Sequence, residues 1–347
     1  LAEGQVVRLE TDGVTRSVLT AEQPFTPDAL AIVTLAVSPD DTTLAYVLQG
    51  AVGNTLILTD RDGQDRRVLI ENAPLGTIRW SPNGSALAVQ MGDWQETGPW
   101  SGGVWAVSAF SGEATRLLSN DPPPSDMTTE AWAYAPEAWS PDGNQLLLTR
   151  YSQNVEFCDA VFLDVISGTV TPVPTPPDLQ TFTGSQCAGG AWATDSSGVH
   201  VVMRGSVFTP PEAGLWFAPV NATAVRAVVP VQTATGQYNI VQGQFVAPDG
   251  SLYALIAQLD QIPELTDDPD GMQFTTMLFR IGNDGNLSQL HPDTFTLYGE
   301  PRWHPDGSGV LLPILVGSMD VGYLYVPFNG EIITLDLEPT SDLAWGD

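Results

Sequence analysis

The feature that most constrains this chain is a corner that recurs along its length. Val37-Ser38-Pro39-Asp40-Asp41, Trp80-Ser81-Pro82-Asn83-Gly84 and Trp139-Ser140-Pro141-Asp142-Gly143 share one plan, an apolar residue, Ser-Pro, then an Asp or Asn and a turn residue. Looser copies stand at Trp192-Ala193-Thr194-Asp195-Ser196, Val246-Ala247-Pro248-Asp249-Gly250 and Trp303-His304-Pro305-Asp306-Gly307. Aligned on the third position, the copies fall at 39, 82, 141, 194, 248 and 305, with 43 to 59 residues between neighbours. That interval fits one four-stranded blade with loops of variable length.

The chemistry of the corner agrees with a hairpin. Proline presets φ, Asp or Asn tolerates the tight backbone, and glycine supplies positive φ. Beyond each corner runs an apolar segment such as Leu44-Ala45-Tyr46-Val47-Leu48 or Leu146-Leu147-Leu148-Thr149, which reads as a buried strand. A second hairpin follows, for example Leu56-Ile57-Leu58-Thr59-Asp60 with Asp62-Gly63, or Val104-Trp105-Ala106-Val107 with Ser111-Gly112. Each repeat therefore spells four strands. No capped segment with a 3.6-residue apolar period stands out, so little helix is expected.

With six corners in register, the sequence resembles the TolB-like, WD40-like β-propeller repeat family, whose mark is a Trp-Ser-Pro-Asp-Gly corner in every blade. The resemblance covers nearly the whole chain. It departs at Asp41, where glycine is expected, and at Thr194-Asp195-Ser196-Ser197. The fold it implies is all-β, a propeller of four-stranded antiparallel blades forming a single domain over residues 1–347. Repeat blades are expected at 30–72, 74–119, 135–174, 187–231, 239–291 and 297–338. Residues 1–20 read as the outer hairpin of a closing blade whose inner strand would be 341–347. Seven blades, with the termini sharing the last, are favoured; six are the alternative.

Composition narrows the function. Twelve basic against 41 acidic residues give a net charge of −29, so a nucleic-acid partner is excluded by like charge. All basic residues are arginine, which removes lysine Schiff-base chemistry. No run of 18 apolar residues could form a membrane helix. A chain starting at Leu1 leaves room for an upstream export signal or anchor, and an exported location, periplasmic, cell-surface or extracellular, is expected.

In each blade the corners and Asp-Gly turns share one face, while the long, irregular segments 91–103, 119–135, 152–159, 174–187, 205–213 and 259–273 share the other. Variable loops on a rigid scaffold commonly carry function, so the long-loop face is the candidate binding surface. Trp94, Trp100, Trp132 and Tyr134, with Asp93 and Asp126 beside them, are the candidate partner-binding residues; the aromatics would serve as rigid anchors or else as packing against Pro122-Pro123-Pro124. The repeat tryptophans Trp80, Trp139, Trp192 and Trp303 read as packing between blades. Cys158, at the start of a third strand, and Cys187, just before the first strand of the next blade, are a candidate disulfide that would tie down the Pro174–Gln186 excursion, with two buried thiols as the other reading.

Catalytic signals are sparse. His200, His291 and His304 are the only histidines, and no nucleophile elbow, phosphate-binding glycine loop or zinc helix is present, so neither catalytic residues nor metal ligands are assigned. The acidic stretches Asp60–Asp65 and Asp267–Gly271 would suit Ca²⁺ but complete no EF-hand, so no cofactor is expected beyond that possibility. Asn83, Asn221 and Asn286 lie in glycosylation sequons. The expected function is a non-enzymatic exported propeller that binds a protein or joins an envelope or extracellular assembly. The alternatives are a carbohydrate-active or lactonase-like enzyme using carboxylates or Ca²⁺ in a central funnel, and a lectin-like glycan binder. TolB relatives are periplasmic interaction proteins, which the resemblance implies for this chain without assigning a specific Tol–Pal role.

Overall fold

The structure, a computed structural model, describes residues 5–9, 15–23, 32–92, 102–122, 131–152, 158–176, 189–204, 213–261, 274–316 and 320–337. Among these residues no helix occurs, and the regular structure is β throughout. A short hairpin, β1 (Val7–Leu9) and β2 (Arg16–Val18), stands first. Six four-stranded antiparallel sets follow, each ordered as in the chain, and the fourth and fifth are joined into one sheet by a single parallel pair, Ala213 with Ile240. The first holds β3 (Ile32–Val37), β4 (Thr43–Leu48), β5 (Asn54–Asp60) and β6 (Arg67–Ala73). The second holds β7 (Leu75–Trp80), β8 (Ala86–Met91), β9 (Gly103–Ser108) and β10 (Ala114–Ser119). The third holds β11 (Trp132–Trp139), β12 (Gln145–Ser152), β13 (Cys158–Asp164) and β14 (Val170–Pro172).

The fourth blade is β15 (Gly190–Trp192), β16 (Gly198–Arg204), β17 (Ala213–Pro219) and β18 (Arg226–Val229). The fifth is β19 (Tyr238–Val246), β20 (Leu252–Leu259), β21 (Thr275–Ile281) and β22 (Leu287–Gln289), with β23 (Phe295–Thr296) also on β21. The sixth is β24 (Arg302–Trp303), β25 (Gly309–Val316), β26 (Asp320–Pro327) and β27 (Ile333–Leu335). These are propeller blades, and among the described residues they number six, the smaller of the two counts that the sequence allows. The closing strand expected at 341–347 lies outside the described residues.

The corners explain their own sequence. In every copy the side-chain oxygen of the Asp or Asn accepts the backbone N–H two residues on: Asp40 from Thr42, Asn83 from Ser85, Asp142 from Asn144, Asp195 from Ser197, Asp249 from Ser251 and Asp306 from Ser308, at 2.7–3.3 Å. Such bonds favour the charged carboxylate. Those from Ser38 and Thr42 hold Asp40 below its usual range, as those from Ser197 hold Asp195 and those from Ser251 hold Asp249. In the first three blades the motif serine adds a bridge. Ser140 Oγ donates to Asp142 Oδ1 at 2.6 Å and accepts the Gln145 N–H at 2.8 Å; Ser38 and Ser81 repeat both bonds. The two departures from glycine hold the same backbone, since Asp41 has φ 55° and Ser196 has φ 60°. Asp41 is further tied to Arg61 at 2.6 Å.

Contacts divide the chain into two compact units, Leu1–Glu156 with Leu163–Val170 and Asp336–Asp347, and Phe157–Phe162 with Thr171–Leu335. In the first unit the repeat tryptophan links neighbouring blades. Trp80 Nε1 donates to Ala36 O and Trp139 Nε1 to Arg79 O, both at 3.1 Å, and each acceptor directly precedes the apolar residue of the previous corner. A core of Val47, Leu56, Leu58, Ile78, Leu87 and Val89 fills the space between the first and second blades. In the second unit, stacking takes over: Trp303 lies parallel to Phe245 at 5.8 Å, and Trp192 packs against Phe162 at 5.5 Å.

The β1–β2 hairpin bears on the first blade as an outer strand bears on the next blade elsewhere. A Cβ on Gly63 would fall 1.9 Å from Leu19 O, and one on Gly112 would fall 2.9 Å from Leu69 O in β6, so both turns need glycine at the point of close approach. The hairpin is fastened by Glu22, whose Oε1 accepts the Tyr46 hydroxyl at 2.6 Å and Arg66 Nε at 2.7 Å. Gln5 clasps the same residue, bonding the Glu22 backbone N–H and carbonyl at 2.8 and 2.7 Å.

Ser140→Ala removes a fully buried hydroxyl together with both of its bridging bonds. The expected loss is about 1–2 kcal/mol, read as a lower urea midpoint with an unchanged slope.

Candidate partner-binding surface

Strand alternation sorts the loops as expected: within a blade, the first and third connections leave one end of the strands and the second connection leaves the other. Much of the long-loop face lies outside the described residues, including Trp94, Trp100, Asp93, Asp126 and Cys187. Trp132 and Tyr134 are described, and both belong to strand β11 rather than to a loop. The extension past the expected blade start at 135 has a physical cause. The segment after β10 offers its own hydrogen bonds to β11, with Asp121 Oδ2 accepting the Trp132 N–H at 2.9 Å and Asn120 Oδ1 accepting the Tyr134 N–H at 3.1 Å.

This strand setting separates the two aromatics. Tyr134 is only 7 % exposed and is part of the core. Trp132 is partly exposed at the long-loop end, and the Arg150 guanidinium lies 4.2 Å from its ring centroid. Arg150 stands opposite Tyr134 in the β11–β12 register, one step inward from the tryptophan. A cation held over an indole leaves a flat, half-buried platform with a positive edge.

Further along the same strands is a polar set that the sequence reading did not single out. Thr149 Oγ1 donates to Glu137 Oε1 at 2.8 Å, Arg79 Nε donates to Glu137 O at 2.8 Å, and Gln90 Nε2 donates to the Tyr151 hydroxyl. These polar side chains at the ends of apolar strands, as in Leu146-Leu147-Leu148-Thr149-Arg150-Tyr151, were the available signal. Its groups are bonded to one another, tying β7 and β8 of the second blade to β11 and β12 of the third.

The remaining candidates are placed structurally. Asp60 Oδ1 accepts the N–H groups of Asp62 and Gln64 at 3.0 and 2.6 Å, and Asp62 pairs with Arg8 at 2.7 Å, so the Asp60–Asp65 stretch is a turn. Residues 267–271 lie outside the described residues. Among the described residues no group of three His, Cys, Asp or Glu side chains could hold a metal ion. His304 Nδ1 lies 2.5 Å from Asp306 Oδ1, in the place of the motif serine, and His291 Nδ1 lies 2.8 Å from Asp293. His200, on β16, tilts over Phe217 at 5.0 Å. Cys158 is 5 % exposed at the start of β13, and no described cysteine is a free thiol.

No protein-family model and no curated protein matches the sequence. Solved structures do match. TolB from Acinetobacter baumannii aligns at a TM-score of 0.52 and 14% identity over 89% of this chain and 67% of that one. An oligogalacturonate lyase from Vibrio parahaemolyticus aligns at 0.62 and 11% identity, over 94% and 83% respectively. Prolyl oligopeptidase B from Galerina marginata aligns at 0.57 and 14% identity over 93% of this chain but 45% of its own length, so the chain spans less than half of that peptidase. At these identities the likeness establishes the fold, a TolB-like β-propeller.

Burial, helped by the nearby Arg226 charge, pushes the His200 pKa down from 6.5 to about 4. Between those values the unfolded chain binds a proton that the native chain refuses, so this contribution to stability is complete above pH 6.5 and is lost as the pH falls toward 4. His200→Gln is expected to flatten the decline in urea midpoint from about pH 7 to about pH 5; an unchanged slope would show that other groups govern it.

Proposed function

We propose that the chain is a non-enzymatic, exported propeller that presents its long-loop face to a partner protein within a larger envelope or extracellular assembly. The observation that carries this reading is the Trp132–Arg150 platform. An amphipathic aromatic is held at the rim by Asp121 and stiffened by a stacked guanidinium, which is the character of an interface anchor. The corner face, by contrast, spends its polar groups on its own turns. Trp94, Trp100, Asp93 and Asp126 extend the same surface in this proposal, while Tyr134 supports it from beneath.

Export is supported by the strongly acidic, lysine-free composition and by the buried Cys158, which is not a free thiol. We assign its partner as Cys187, the only other cysteine. Reduction under denaturing conditions is then expected to add the mass of two hydrogens to the intact chain, and an unchanged mass would remove the disulfide.

The functional test is native mass spectrometry of the chain purified gently from its source, comparing wild type with Trp132→Ala and Arg150→Ala. The expected outcome is a complex with a second protein that either variant weakens about tenfold or more, with melting temperature preserved. A bare monomer in every case, or loss of glycan binding in place of a protein, would overturn the reading in favour of the enzymatic or lectin-like alternatives.

A further inference from the structure

The turn joining the third and fourth strands of a blade can be compared residue by residue. In five blades its first residue donates a backbone bond to the corner of the same blade: Arg61 to Thr42, Ala109 to Ser85, Val165 to Asn144, Val220 to Ser197 and Phe328 to Ser308, at 2.8–3.1 Å. The next residue is the tip. It is Asp62, Asn221 and Asn329 in three blades, the residue types that such a turn selects. In the second and third blades it is Phe110 and Ile166, which are 90 % and 86 % exposed. Isolated apolar residues on a surface are ordinary, but these two hold the same turn position in consecutive blades. The turn does not need them there, since asparagine fills the position elsewhere.

Both tips are also held in place. The Arg67 guanidinium, reaching from β6, donates to Ala109 O at 2.5 Å and to Phe110 O. Asp164 Oδ1 accepts the N–H groups of Ile166 and Ser167 at 3.1 and 2.7 Å. The Ile166 turn approaches β10, the strand that leaves the Phe110 turn, with a Cβ on Gly168 falling 3.9 Å from Leu117 O. Two apolar side chains thus stand on adjoining hairpins whose backbones are pinned. The turns and corners of the first three blades carry Asp62, Asp65, Glu113, Asp142 and Asp164; of the arginines on the same elements, Arg67 is spent on the Phe110 turn, Arg116 lies over Trp105, and Arg61 and Arg8 are paired with Asp41 and Asp62. A second copy of the chain would bring the same charge, −29, against this face.

We propose that Phe110 and Ile166 are the apolar anchors of a second docking surface, on the turn face of the second and third blades, and that it takes a basic protein whose apolar sockets are ringed by arginine or lysine. Charge would steer the encounter and the two side chains on their pinned turns would hold it, with little backbone ordering cost on this side. This surface is separate from the Trp132 platform and does not depend on it.

The test places a benzophenone photocrosslinking residue at position 110, and separately at 166, in the chain expressed in its own host. The expected product at both positions is one and the same basic protein. That protein, once purified, is expected to bind the wild-type chain in a salt-sensitive way. Phe110→Asn combined with Ile166→Asn should weaken binding about tenfold or more without lowering the melting temperature, and Trp132→Ala should leave it unchanged. Crosslinks to a second copy, to lipid, or to unrelated proteins at the two positions overturn the proposal, as does purified-protein binding that the double asparagine variant leaves intact.

Discussion

The whole architecture depends on a bond between a side-chain oxygen and a backbone N–H two residues away. A corner between two antiparallel strands leaves backbone groups that the ladder cannot satisfy, and Asp or Asn in the fourth motif position supplies the missing acceptor in all six copies. Once the corner is fixed, its first residue sits at a set height against the preceding blade. Trp80 and Trp139 can then reach equivalent carbonyls on the preceding innermost strand. Local turn chemistry thereby determines long-range packing.

The two units use this plan with different materials. In the first three corners a buried serine bridges the carboxylate and the following strand, whereas the last three have Ala193, Ala247 and His304 there. The carboxylate bond persists without the serine, so the acceptor is the indispensable part and the hydroxyl is reinforcement. A similar substitution occurs between blades, where indole-to-carbonyl bonds in one unit give way to ring stacking of Trp303 on Phe245 in the other. Each arrangement satisfies the same geometric need with a different interaction.

The fold was legible because its determinants are local and repeated. Proline, aspartate and glycine at fixed offsets specify a turn whatever surrounds them, and six copies make the period visible. Strand β11 begins at Trp132, ahead of residue 135, because Asn120 and Asp121 extend it by side-chain bonds that no hydropathy pattern encodes. The same extension explains why Tyr134, read as a loop aromatic, is buried. Trp132 was found as an aromatic, but its pairing with Arg150 depends on the β11–β12 register and becomes visible only when the strands are aligned. Phe110 and Ile166 escaped notice for a related reason: in sequence they look like ordinary strand-end apolar residues, and only their exposure separates them from the core.

The second corner differs from the others in one atom of consequence. All three of its side-chain bonds, from Ser81 Oγ, Ser85 N and Ser85 Oγ, go to Asn83 Oδ1, so the amide nitrogen takes no part in them. The residue that follows is glycine, the neighbour that least obstructs spontaneous loss of side-chain ammonia. The cyclic imide so formed opens to isoaspartate and to aspartate, and only the aspartate product keeps every acceptor in place and turns this corner into the Asp-Gly form already present at Asp142-Gly143.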